Sequence, residues 1–223
     1  MKRKYTHLKI IAAIFFLLNA YLSADSIYTE AELKELKFFF AKEESERNRK
    51  WIKDEEIKRK LSEYNESRKK TIEKNLKILE NIKSSDIKIK RTKKNLVVIT
   101  YPSLGRSEYD VTKYEAAFYK KKNQWTKIFH FQEIQFLYID KDNLPDLIGS
   151  RICCANISLE VILSSENYKR ENKVSPTFSD DDTFKIKYGR CNRFQMQGIS
   201  WDTNKFAKFT FDCEEKKFKK VEI

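Results

Sequence analysis

Between residues 28 and 83, apolar side chains recur three or four positions apart: Leu33, Leu36 and Phe40, then Ile57, Leu61, Tyr64, Ile72, Leu76, Leu79 and Ile82. That spacing places one apolar stripe on a helix. The segment holds no Gly or Pro and is dense in Glu, Lys, Arg, Leu and Ile, all good helix formers. Its start is marked by Thr29 as cap, Glu32 completing a capping box, and Tyr28 with Leu33 as a hydrophobic staple, so the pattern predicts a helix from Glu30. The stretch from Ala41 to Lys50, "AKEESERNRK", offers little to bury and no Gly or Pro to bend on. One long helix, softened near Ser45 to Asn48, is therefore expected. At 1.5 Å per residue, about 54 residues would run roughly 80 Å, so the stripe must dock on the rest of the chain or pair with a second copy as a coiled coil.

From Leu96 onward the period changes to two and aromatic residues become frequent. Strands are expected at 96–101, 114–119, 125–131, 134–139, 146–153, 158–163, 183–188, 194–199 and 208–213. "KKKNQ" and "WDTNK" read as hairpin loops, and Ser164 to Asp182 as the longest exposed loop. Closely spaced strands without crossover helices must pair antiparallel. The expected fold class is α+β: a long N-terminal amphipathic helix followed by an antiparallel β-sheet, sandwich or small barrel. The chain divides into 1–24 as a signal peptide, 25–86 as a charged helical region and 87–223 as a disulfide-tied β domain.

The signal peptide is read from Lys2, Arg3, Lys4 and Lys9 ahead of an apolar run from Ile10 to Leu22, then Ser23 and Ala24. Cleavage is expected after Ala24. The run, about 13 residues, is shorter than the roughly 20 that a helix needs to span a bilayer. No permanent transmembrane span is expected, and the protein should be periplasmic, outer-envelope-associated or secreted. The formal charge of +13, less four signal cations, leaves +9 on the mature chain. Behind a signal peptide such an excess points away from nucleic acid and towards a protein or anionic envelope surface. An oxidising compartment makes Cys153, Cys154, Cys191 and Cys213 disulfide candidates. Neighbouring strand residues face opposite ways, so Cys153 and Cys154 are each expected to bond one of Cys191 and Cys213.

"YIDKDNLPDLI" crowds Asp140, Asp142, Asn143 and Asp146 into seven residues, and calcium is held by such oxygen ligands. An EF-hand is excluded, because Pro145 and Arg151 stand where that loop needs Gly and Glu. Residues 134–148 resemble the Asp-rich turn of FG-GAP or VCBS-type β repeats in the strand "IQFLYI", in Asp140, Asp142 and Asp146, and in the exit "PDLI". Tyr138 stands where the family's first Asp would be, and Lys141 and Asn143 replace its two glycines. The resemblance implies a β-hairpin with an acidic turn, and calcium as the cofactor if Asp140, Asp142 and Asp146 act as ligands; the other reading is a metal-free Asp/Asn turn. "SDDD", Ser179 to Asp182, is a second acidic cluster that reads as a solvated turn.

Catalytic motifs are lacking. After signal removal His130 is the only histidine, and no nucleophile elbow, zinc-protease or phosphate-loop pattern occurs. Sequons at Asn65 and Asn156 matter only in a cell that glycosylates. Arg190, Arg193, Phe194, Trp201 and Phe206 combine the residue types that make binding hot spots, although most such rings belong in a core. The sequence therefore reads as an exported non-catalytic binding or envelope-associated protein, with homo-oligomerisation through the helix open to it. A calcium-dependent adhesion-like module is the first alternative. A small exported hydrolase, with His130 as base or a carboxylate pair, is the second.

Overall fold

The computed structural model describes residues 28–104, 109–153, 156–168, 176–179 and 182–221. The signal segment and its cleavage point at Ala24 lie outside them. Helix α1 (Glu30–Ile52) begins where the capping box places it: Thr29 Oγ1 accepts the Glu32 N–H at 3.2 Å and Glu32 accepts the Thr29 N–H at 2.9 Å. The helical region is not a single rod. The chain turns at Lys53 and Asp54 into α2 (Glu55–Ser62), then at Glu63 to Asn65 into α3 (Glu66–Glu80), whose N-cap is Asn65. Helix α3 folds back along α1. The charged middle of α1 supplies the reason, since Ser45, Asn48 and Arg49 donate to the carbonyls of Ile82, Leu79 and Glu80. These are the acceptors that a helix end leaves without intrahelical partners.

Among the described residues twelve strands follow in three four-stranded antiparallel sheets, each a sequential meander. The first holds β1 (Lys88–Lys93), β2 (Leu96–Leu104), β3 (Val111–Lys121) and β4 (Gln124–Phe131). The second holds β5 (Glu133–Leu137), β6 (Asp146–Cys153), β7 (Asn156–Ile162) and β8 (Thr177–Ser179). The third holds β9 (Lys185–Lys187), β10 (Gln195–Ile199), β11 (Phe206–Asp212) and β12 (Lys217–Val221). At the β3–β4 hairpin Lys122 and Asn123 both take positive φ, 48° and 62°, which matches the two-residue turn whose twist suits antiparallel strands.

Period-two alternation sorts side chains onto opposite faces and stacks the sheets. Val97, Ile99, Tyr101, Tyr114, Ala116 and Phe118 face Leu36, Phe40 and Ala41 of α1. Phe40, fully buried, sits edge-on to Tyr101 and Phe118 with ring centroids 4.7 and 5.4 Å away; burying such a ring is worth about 2–3 kcal/mol. The helical stripe is thus docked on the β region. On the other face of the first sheet, Leu96, Val98, Ala117, Phe129 and Phe131 meet Ile134, Leu147 and Ile162 of the second. The second sheet's far face sets Ile148, Ile157 and Leu159 against Phe194, Met196 and Phe211 of the third. The order of layers is helices, first sheet, second sheet, third sheet. No helix among the described residues is long and apolar enough to cross a membrane.

Candidate functional site

The acidic turn closes the β5–β6 hairpin. Asp146, fully buried, accepts the N–H groups of Ile139, Asp140 and Ser164 at 2.6, 3.2 and 2.9 Å, and the Ser164 hydroxyl at 3.0 Å. Burial pushes its carboxyl above the usual range against the pull of these donors. Asp140 accepts the Asp142 N–H, and Asp142 accepts the Leu144 N–H and the Ser164 hydroxyl, a chain of local side-chain turns. The structure therefore brings Asp140, Asp142 and Asp146 together, but around backbone donors and Ser164, a residue that nothing in the local sequence pattern marks. Among the described residues no three His, Cys, Asp or Glu groups converge in the manner of metal ligands. Of "SDDD", Ser179 ends β8 and Asp182 is exposed in a turn; Asp180 and Asp181 lie outside the described residues.

Cys191 is bonded to Cys213, which excludes the expected bonds from these two to Cys153 and Cys154. The divergence of Cys153 from Cys154 does not set the pairing; the chain path does, by returning the end of β11 past the turn before β10. The Cys191 N–H donates to the Ile139 carbonyl at 2.6 Å, and Cys213 Sγ lies 3.7 Å from the same oxygen. The disulfide thus ties the turn before β10 to the end of β11 within the third sheet, and the Cys191 N–H sets that corner against the entrance of the acidic turn. Cys153 ends β6, and Cys154 lies outside the described residues.

Buried carboxylates elsewhere are engaged in packing contacts. Glu44 of α1 pairs with Arg47 beside Tyr101 and Lys127; burial raises its pKa, while Arg47 and Lys127 oppose the rise. Glu115 pairs with Lys90 and accepts the Ile134 N–H at 2.8 Å. His130 stands exposed on β4 between buried Phe129 and Phe131.

The outer face of the third sheet is the surface with a distinct chemical character. Its inner residues, Met196, Gly198, Ala207, Phe209, Phe211 and Phe218, alternate with outward ones. Register sets the outward residues in rows across the strands: Lys187, Gln195, Thr210 and Lys219 in one; Lys185, Gln197, Lys208 and Val221 in the next; Ile199 beside Phe206 beyond. Five lysines, Lys185, Lys187, Lys208, Lys217 and Lys219, share this face with Asp212. Lys219 pairs with Asp212 at 2.7 Å and also with Glu215, and Lys217 pairs with Glu215. Lys219 holds Asp212 down to a pKa of about 2. Lys185, Lys187 and Lys208 make no ion pair among the described residues. Exposed Trp201 and Phe206, 47% and 49% accessible, mark the β10–β11 end of the face. Of the other expected hot-spot residues, Phe194 is fully buried in the core, Arg190 lies 5.9 Å over the Tyr138 ring and Arg193 is exposed in the turn before β10. No protein-family model, curated protein or solved structure matches the chain.

Proposed function

We propose that this is an exported, non-catalytic binding protein that engages an anionic surface of the cell envelope through the outer face of its third sheet. One observation carries the reading: Lys185 and Lys187 of β9 and Lys208 of β11, which is in register with Lys185 across Gln197 of β10, share one face, lack carboxylate partners among the described residues, and have exposed rings at one end of that face. Lysines so placed attract an anionic surface at about 1 kcal/mol each. The helical stripe, docked on the first sheet, leaves this face as the stronger of the two binding surfaces read from the sequence. In this reading the Asp140–Asp146 turn is structural, and the disulfide befits an oxidising compartment.

The test is co-sedimentation of the purified protein with phosphatidylcholine vesicles that contain or lack phosphatidylglycerol, at low and physiological salt. Binding should require the anionic lipid and weaken with salt. Lys185→Ala, Lys187→Ala and Lys208→Ala together should weaken it by about two orders of magnitude. Equal binding to neutral vesicles, or a triple variant that binds like the parent, would refute the assignment.

A further inference from the structure

At the opposite end of the stack, the first sheet and the helices leave a groove of about 550 Å³, within the size range of sites for small organic ligands. Its origin is a mismatch of strand lengths. The β1–β2 ladder begins at the pair Lys88–Thr100, whereas β2 continues to Leu104, so β2 runs on past its neighbour from Tyr101. The 3₁₀ turn Ser84–Asp86 and the end of α3 wall the opening instead of a strand. Pro102 and Ile78 give it an apolar lining over buried Tyr101, and Lys83, Lys88 and Lys113 line it together with one carboxylate, Asp86, which accepts the Lys83 backbone N–H. None of these three ammonium groups forms an ion pair or hydrogen bond among the described residues. Ile78, 43% exposed, also borders a second hollow along α3, of about 390 Å³, where Lys70, Lys74 and Lys77 face Glu73.

The geometry points to a binding site for a small organic anion: a phosphate monoester on an aliphatic or aromatic body. Three lysines against the single carboxylate of Asp86 leave the opening net positive over a low-dielectric wall, which favours a compact anion at the rim. The apolar lining rewards burial of the attached body at about 25 cal/mol per Å². An added peptide strand fits less well, because Pro102 lies on the uncovered length of β2 and supplies no N–H to a ladder. The groove is separate from the third-sheet face, so neither assignment depends on the other.

The probe is octyl phosphate below its micelle concentration, titrated calorimetrically into the purified protein beside inorganic phosphate and octyl glucoside. Saturable binding is expected for octyl phosphate, at least tenfold tighter than for either control. Lys83→Ala with Lys88→Ala should weaken it at least tenfold, and Lys113→Ala alone should weaken it measurably; all three are rim residues whose removal leaves the core intact. Lys185→Ala with Lys187→Ala, on the third sheet, should leave it unchanged. Absence of saturable binding at millimolar probe, or retention in the rim variants, overturns the site. Equal binding of octyl glucoside removes the anion from its specificity, and equal binding of inorganic phosphate removes the apolar body; either result overturns the ligand class.

Discussion

The disulfide offers the sharpest test of how the third sheet is closed. Cys191 and Cys213 are 22 residues apart, and closing a loop of that length in the unfolded chain costs entropy equivalent to about 3.4 kcal/mol at 25 °C in the chain-entropy treatment. The double substitution Cys191→Ser with Cys213→Ser should therefore lower the unfolding free energy by about 3 kcal/mol. For a chain of this size a loss of 1 kcal/mol lowers Tm by about 2–4 °C, so the variant should melt roughly 6–12 °C below the parent. Denaturant titration followed by tryptophan fluorescence gives the free energy. Peptide mapping without reductant identifies the bond, which should appear as one cross-linked pair joining the segments around Cys191 and Cys213. A cross-link from Cys153 or Cys154 to either cysteine would refute the pairing. A double variant as stable as its parent would refute the argument that this loop needs closing.

Gly149→Ala probes the interface between the first two sheets. A Cβ there would lie 2.5 Å from Phe131 Cδ2 and 2.6 Å from Phe129 Cε2, on rings packed against each other with centroids 5.0 Å apart. Overpacking of this kind costs about 1–3 kcal/mol, and a chemical melt showing no loss would place the rings elsewhere. Glu44→Gln should change the pH dependence of stability. Burial raises the folded pKa of Glu44 above its unfolded value, so the native state takes up its proton first as pH falls. The parent should gain stability relative to the variant on going from neutral pH down to about 4.5, and parallel profiles would refute the assignment. Millimolar calcium should leave Tm unchanged against chelator, because Asp146 and Asp142 already accept N–H and hydroxyl donors. A rise of several degrees would make the turn a cation site after all.

Nine strands were legible from alternation, and the three that were missed are edges, lost for two different reasons. β1, "KIKRTK", and β12, "KFKKV", are sheet edges. Lysine on an edge blocks pairing with another chain, and the same lysine erases the apolar signal by which a strand is recognised. The third, β8, is an edge of only three residues. The single-rod expectation failed because "AKEESERNRK" was judged by what it could bury as carbon. Its contribution is polar: Ser45, Asn48 and Arg49 complete the hydrogen bonding at the end of α3 and beyond, a role visible only once the helices fold back. Asn65, which heads a sequon, accepts the Arg68 N–H in the structure as the N-cap of α3. The acidic turn was legible in its carboxylates and not in Ser164, 18 residues from Asp146 in sequence, which joins the cluster only through the β6–β7 pairing.

The stacking order determines where charged side chains can stand. A sheet between two layers must be apolar on both faces, so the first and second sheets, with clusters on each side, have little room for polar chemistry. Where carboxylates do enter, at Glu44, Glu115, Asp140 and Asp146, they meet cations or backbone donors that hold the layers in place, although Asp140 Oδ2 is buried without a hydrogen-bond partner among the described residues. Burying such a group without those partners would cost several kcal/mol, so each is bound to the architecture that buries it. Cationic residues are thereby displaced to the ends of the stack. One end is a lysine-rowed sheet face, flat and broad, suited to a surface. The other is a lysine-rimmed groove with an apolar lining, suited to one small molecule. Loss of either set of lysines should leave the stack folded, and it is this independence that lets the vesicle and octyl phosphate experiments judge the two ends separately.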